Sequence, residues 1–426
     1  MVEKFDPLTA LLSLVEPGFT EDQLYNLSSK LLPEQWDAII VEAYQQDIAE
    51  FLYALLRRLN QSYGFEIPQK DRLHQTYLST ASKNMLTLHD TGLVFSALQQ
   101  AGIPAAGLKG VYLLENVYGD VGARSMNDID ILVKKHNLTG SLEVLERLGY
   151  SQTSYFSLDD LNADTKHYSP MRKTSGPMVE LHWTLNEENE LFTVDPNPLW
   201  DRVVPARIAG IDSLSLGVED LILHLCLHTS YQHYLQLGLR GLLDIAMVLN
   251  KFQGKIDWQN LVQIVKSWGT ERITALSLKL VETQLNVAIP LEVFESLLPE
   301  PIAPGILENA RKVLLERVNY QERLTPDLVQ MNANRDFFSK VKIGLQRVFI
   351  PRLAMARTYN VSPDSPRILG FYWVRLKYLV RNYGKTLLRL QRQEESTTPA
   401  FKKPRELIPC TNGCAAKGNR LSGRMK

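Results

Sequence analysis

The stretch "SMNDIDILV", residues 125–133, places Asp128 and Asp130 two apart in a run of isoleucine, leucine and valine. The β-branched content predicts a strand, and on a strand residues i and i+2 share a face. Both carboxylates then project together, with Ile129 and Ile131 on the other side. Two carboxylates held this close repel, so either one keeps a proton or a cation sits between them. Mg2+, or Mn2+ in its place, prefers oxygen ligands and commonly joins one or two protein carboxylates to phosphate oxygens. The plainer alternative is a strand end at which both aspartates meet solvent.

Neighbouring residues favour a site. "GLKG", residues 107–110, reads as a strand-to-helix turn: Gly110 lets the backbone approach a ligand closely, the helix start turns free N–H groups toward it, and Lys109 adds a positive charge. Arg124, just ahead of the aspartate pair, is placed to reach a phosphate. Downstream, "VELHW" at 179–183 is another strand candidate. It offers Glu180 as a third carboxylate, with His182 on the same face.

The elements that must position these residues follow from periodicity. Residues 1–100 form an N-terminal helical region, with helical patterns in "PEQWDAIIVEAYQQDIAEFLYALLRRLN" and in the run that stops at Gly102. Residues 101–185 read as an α+β unit: strands at "IPAAGL", "DIDILVK", "HYSPMRK" and "VELHWTL", and helices at "KGVYLLENVYG" and "HNLTGSLEVLERLGY". Residues 186–334 read as a helical region completing the cleft, 335–393 as basic C-terminal helices, and 394–426 as a flexible basic tail.

The span "GLKGVYLLENVYGDVGARSMNDIDILV" resembles the core signature of the DNA polymerase beta-like nucleotidyltransferase superfamily. More closely, it resembles an uncharacterised bacterial nucleotidyltransferase family with the pattern Leu-Lys-Gly, then Tyr, Gly, Arg and Asp-Ile-Asp-Leu-Val. The likeness continues through "LGY" at 148–150 and "ELHW" at 180–183, into "VEDLILHLCLH" and "LRGLLDIA", about residues 85 to 260 in all. It implies a helix-rich α+β fold with a small mixed-sheet core flanked by helical regions. It also implies Mg2+-dependent transfer of a nucleoside monophosphate from an NTP to an acceptor, with release of pyrophosphate. Asp128, Asp130 and Glu180 would be the metal-binding catalytic carboxylates, and Lys109, Gly110 and Arg124 would contact the nucleotide. The superfamily often has Gly-Ser or Gly-Gly at the turn; this chain has Lys109-Gly110-Val111, so the hydroxyl contact to phosphate is missing and Lys109 is the candidate to replace it. His182, His228, Arg240 and Asp244 are candidates for the acceptor side, with an Arg240–Asp244 brace along the helix as the plainer reading.

Composition bounds the rest. At 426 residues, 45% hydrophobic and 22% charged, the chain reads as an ordinary globular protein with more than one domain. No apolar run reaches the roughly 18–20 residues of a membrane-spanning helix. The N-terminus lacks the basic segment of a secretory signal. Three cysteines, Cys226, Cys410 and Cys414, argue for a reducing compartment, and the cytoplasm is the expectation. Net charge is uneven: residues 1–334 hold 27 Lys+Arg and 42 Asp+Glu (−15), and residues 335–392 hold 13 and 2 (+11). The basic part either docks on the acidic body or meets an acidic partner; RNA would make binding steeply salt-dependent. "FYWVRLKYLVRNYGKTLLRLQR", 371–392, fits a nucleic-acid or membrane-surface helix, or an ordinary amphipathic one. His224 and His228, with His233 and Asp244, fit either zinc or a polar network between packed helices. A second functional class also fits the whole chain: a nucleotide-binding regulatory or scaffold module without turnover.

Overall fold

The computed structural model describes residues 5–152, 168, 170–186, 192, 194–315, 349, 352, 355, 359, 361 and 365–378. Five helices come first: α1 (Pro7–Leu14), α2 (Glu21–Ser28), α3 (Pro33–Gln45), α4 (Ala49–Tyr63) and α5 (Lys70–Gln100). Their starts are written in the sequence. Asp6 accepts from the N–H groups of Leu8 and Thr9, and Thr20 and Gln23 form a reciprocal capping box. The periodic run at 33–60 breaks between α3 and α4, where Asp47 takes φ of +55°. The buried stripe of α5 runs through Leu73, Tyr77, Ala81, Asn84, Thr87, Thr91, Val94 and Leu98, at three- and four-residue steps.

The sheet follows. Its strands are β1 (Ala105–Gly107), β2 (Asp128–Val133), β3 (Ser151–Gln152), β4 (Met171–Arg172), β5 (Met178–His182), β6 (Val204–Ile208) and β7 (Ile211–Ser215), in the spatial order β3-β4-β5-β2-β1-β7-β6. It is mixed: β2 runs parallel to β5 and antiparallel to β1, and β1 runs parallel to β7. Between strands lie α6 (Gly110–Leu113), which widens into a π-helical turn (Leu114–Tyr118), then α7 (Leu138–Arg147) and α8 (Pro196–Asp201). The helix-rich α+β class expected from the sequence is the observed one. The β6–β7 hairpin lies inside residues 186–334, a stretch whose pattern reads as helical, and it extends the sheet on the β1 side. Of the strand expected across 167–173, the described residues carry β4 at Met171–Arg172.

The sheet separates two apolar layers. Ile129, Ile131 and Val133 pack with Val94, Phe95 and Leu98 of α5 and with Leu138, Leu142 and Leu145 of α7. Each such side chain contributes about 1.5–3 kcal/mol on burial. Ala106 and Leu132, on the other face, join the larger layer built from the N-terminal helices and from α9 (Val218–Cys226), α10 (Leu239–Lys251), α11 (Trp258–Trp268), α12 (Glu271–Leu285), α13 (Leu291–Leu297) and α14 (Pro304–Leu315). A second π-helical turn, Leu227–Gln232, continues α9.

Residues 368–378 are helical, and Met355 and Ile368 are buried together with Phe371 and Tyr372 against them. Most of the basic segment at 335–393, the tail at 394–426, and Cys410 and Cys414 lie outside the described residues. No helix among the described residues is long and apolar enough to cross a membrane.

Candidate active site

The register of β2 on β5 places the site. Asp130 stands opposite Glu180 and Leu132 opposite His182 in a parallel pair. Alternation along each strand then puts Asp128, Asp130, Glu180 and His182 on one face. Asp130 and His182 are deeply buried, at 2% and 3% exposure, whereas Asp128 and Glu180 are half-buried and open toward the surface. Asp130 Oδ1 accepts from Lys109 Nζ at 2.8 Å and lies 2.8 Å from His182 Nε2. The same imidazole nitrogen is 3.6 Å from Glu180 Oε2. Among the described residues, Asp130, Glu180 and His182 form the trio whose ligating atoms lie within 4.8 Å of one another.

The electrostatics of this face are unbalanced. Burial, then repulsion from Asp130 and less strongly from Glu180, pushes the Asp128 carboxyl up to about 6, against the pull of Lys109 and Arg124. Burial works against the Asp130 anion too, but Lys109 and His182 outweigh it and hold that carboxyl well below its usual range. Burial likewise opposes the Lys109 charge, and Asp130, helped by its hydrogen bond and by Asp128 and Glu180, raises that ammonium instead. Lys109 thus feels all three carboxylates.

Lys109 reaches Asp130 from a strained backbone. Its φ is +44° with ψ −120°, a region that disfavours a side chain by about 1–3 kcal/mol. The turn is held by Leu108 N–H on the Asp130 carbonyl at 3.1 Å and by Leu113 N–H on the Lys109 carbonyl at 2.8 Å. Gly110 packs closely against two side chains. A Cβ there would stand 3.0 Å from Met126 Cγ and 3.1 Å from Arg124 Nη1. The helix expected after the turn is present, one α-turn that continues as a π-turn to Tyr118.

Arg124 lies behind the carboxylates with its guanidinium engaged. Its Nε and Nη2 donate to the two oxygens of Asp244, each at 2.7 Å, and Nη1 donates to the Ser125 carbonyl. Tyr118, at the end of the first π-turn, donates its hydroxyl to Asp244 Oδ1 at 2.8 Å. Asp244 therefore braces Arg124, and the Arg240–Asp244 pair expected along α10 is replaced by Arg240 Nη1 on Ser125 Oγ at 3.0 Å. An arginine at 124 serves here because its fork matches a carboxylate in two parallel bonds.

His228 lies half-buried on the second π-turn, close enough to Lys109 and Asp130 to feel both; desolvation first, then Lys109 and the two other histidines, hold its imidazole well below its usual range. Its ring meets His233 edge-on at 4.4 Å and stands 6.2 Å from His224. The zinc reading of this group finds no support among the described residues, since the trio with metal-compatible spacing is the one on β2 and β5. π-turns are rare and recur at functional sites. Here one carries Tyr118 and the other His228.

Three positioning residues escape a linear reading. Asn84, fully buried on α5, donates Nδ2 to the carbonyls of Val121 and Arg124, each at 2.7 Å, and accepts from Met126 N–H at 3.0 Å. It fixes the loop that delivers Asp128. Its signal is a polar residue on the buried stripe of a long helix. Tyr118 and Glu50 offer less. Glu50, buried on α4, lies near Arg240 and the Ser125 backbone, and burial raises its carboxyl.

The family described as "Uncharacterised nucleotidyltransferase" matches residues 33–286, more than half of the chain. The chain belongs to this nucleotidyltransferase family. The match starts at α3 and ends just after α12, so the helices at 33–100 belong to the family unit together with the sheet, and the basic C-terminal part lies beyond it. No curated protein and no solved structure matches the chain.

Proposed function

We propose that this nucleotidyltransferase moves a nucleoside monophosphate from an NTP to an acceptor hydroxyl or similar group. In that reaction the acceptor oxygen attacks the α-phosphorus, the bond to the β-phosphate oxygen breaks, pyrophosphate leaves, and the acceptor proton passes to a base. One observation carries the reading: Asp128, Asp130 and Glu180 share a face of adjacent parallel strands, and their repulsion adds to burial in pushing Asp128 up to about 6.

A divalent cation suits that cluster: Asp130 and Glu180 belong, with His182, to the trio whose spacing one ion requires, and Asp128 stands on the same face. Asp128, Asp130 and Glu180 would hold it. When bound, the cation draws the phosphates in and offsets charge growing on the attacking and leaving oxygens. Lys109 sets Asp130 in place and brings an ammonium to the phosphate side. Glu180, half-buried, is the candidate to take the acceptor proton. His228, near Lys109 and held neutral by its surroundings, faces the acceptor side as a neutral hydrogen-bonding group. Arg124 acts through the loop it anchors to Asp244.

The acceptor class is a small molecule, a protein side chain or an RNA end. The test is incubation with each α-labelled NTP, a divalent cation and a cell extract, beside an Asp128→Ala/Asp130→Ala variant. Label transferred by the wild type alone is the expected result, and the product's size gives the acceptor class. Cation-dependent nucleotide binding without transfer would replace this reading with the scaffold one. No nucleotide binding would remove both.

A further inference from the structure

We infer that His182 is itself a metal ligand beside the carboxylates, so that the site selects a nitrogen-tolerant divalent cation of the Mn2+ type over Mg2+. The inference rests on the nucleotidyltransferase reading above and concerns which ion that site takes. An imidazole is a poor partner for Mg2+, which prefers oxygen, and a good one for first-row transition metals.

The geometry points to ligation. Around an octahedral ion with bonds of about 2.1 Å, neighbouring donors stand about 3.0 Å apart. Asp130 Oδ1 and His182 Nε2 are 2.8 Å apart, and His182 Nε2 and Glu180 Oε2 are 3.6 Å apart. A single nitrogen meets both carboxylates, so it points into the space between them and not past one of them. The strand register fixes this: His182 is two residues beyond Glu180 on β5 and one step along from Asp130 across the pair. His182 is also 3% exposed, which limits its room to swing out. The second observation is Lys109. A cationic group already sits on the same Asp130 oxygen at 2.8 Å, held there from a strained backbone, so this position accepts positive charge at an energetic cost elsewhere.

The alternative is that His182 only orients Asp130 by a hydrogen bond. Loss of either kind of partner weakens a metal site 10–100-fold, roughly, so affinity alone does not separate them. Electron spin-echo modulation of bound Mn2+ does, because directly bonded nitrogen modulates the echo. Full-length protein, stripped of metal and loaded with Mn2+, is expected to show nitrogen coupling that changes on 15N-histidine labelling. The coupling disappears in His182→Gln and persists in His228→Gln. Competition titration is expected to show a preference for Mn2+ over Mg2+ that shrinks about tenfold or more in His182→Gln. Mn2+ bound with no histidine coupling in the labelled wild type overturns the inference and leaves the nucleotidyltransferase reading standing. Coupling lost in His228→Gln but kept in His182→Gln overturns it in favour of His228. Mn2+ failing to bind, or binding unchanged in Asp130→Asn, overturns the inference and the site together. Where His182→Gln is unstable, the labelled wild type and His228→Gln still decide.

Discussion

Two buried charge clusters meet the same short stretch of chain and are built on opposite terms. The first, Arg124 with Asp244 and Tyr118, closes on itself. Both Asp244 oxygens accept from Arg124 at 2.7 Å, and the Tyr118 hydroxyl completes the set. The second, Lys109 with Asp128, Asp130, Glu180 and His182, stays open. Asp130 Oδ1 meets both Lys109 and His182, whereas Asp128 is pushed up to about 6 by burial and by its neighbours. Charges buried for architecture tend to be matched one to one, since an unpaired buried charge costs several kcal/mol. Where buried carboxylates repel one another, a bound cation would relieve the cost. On the proposed reading, the first cluster serves structure and the second serves chemistry.

The largest expected effect tests that assignment directly. Asp130→Asn removes the carboxylate at the centre of the open cluster. Transfer measured with labelled NTP is expected to fall by about 1,000-fold or more, as for the loss of a residue acting only as part of a catalytic unit. Asp244→Ala, in the closed cluster, is expected to act on stability. Arg124 would be left buried without its partner, and urea denaturation should show a loss of about 3–5 kcal/mol. A folded Asp244→Ala with normal stability and no transfer would reverse the comparison and place Asp244 on the acceptor side.

The open cluster also predicts an unusual pH response. Asp128 titrates near 6 when folded and near 4 when unfolded, so the folded state holds its proton longer. Its contribution is therefore present at low pH and lost as pH rises from about 4 to 6, a change of about 2–3 kcal/mol. With a chelator present, Asp128→Asn should be more stable than the wild type at pH 7.5 and equal to it near pH 4. Denaturant midpoints at the two pH values measure this. Equal midpoints at both would mean that Asp128 carries no surplus charge.

Much of this was legible in the sequence, for definable reasons. The Asp-x-Asp strand, Glu180 and Lys109 lie in short local patterns, and strand alternation alone puts Glu180 and His182 on one face. The stop at Gly102 is equally local. Pairings across the chain were not legible. Asp244 sits four residues after Arg240, a spacing that suggests a helix brace, yet its partner is Arg124, 120 residues away. The β6–β7 hairpin escaped because Pro205, the short length of each strand and the Ala209–Gly210 turn give little alternation to read. His182 looked like a neighbour of the site, and only the β2–β5 register shows its nitrogen between two carboxylates.

Asn84 is the smallest test and the one furthest from any motif. Its side chain holds three backbone groups of the loop between the two clusters, so both depend on it. Asn84→Ala leaves the carbonyls of Val121 and Arg124 and the amide of Met126 without that partner, at a cost of about 1–3 kcal/mol. Asn84→Asp keeps an acceptor for Met126 but loses both donors, and it adds a carboxylate to an already negative neighbourhood. Hydrogen exchange should show the Met126 amide losing protection in Asn84→Ala and keeping it in Asn84→Asp, because that amide donates to the residue-84 oxygen. If Met126 stays protected in Asn84→Ala, the loop is held by its own packing, and the closed cluster at Arg124 anchors it without help from α5.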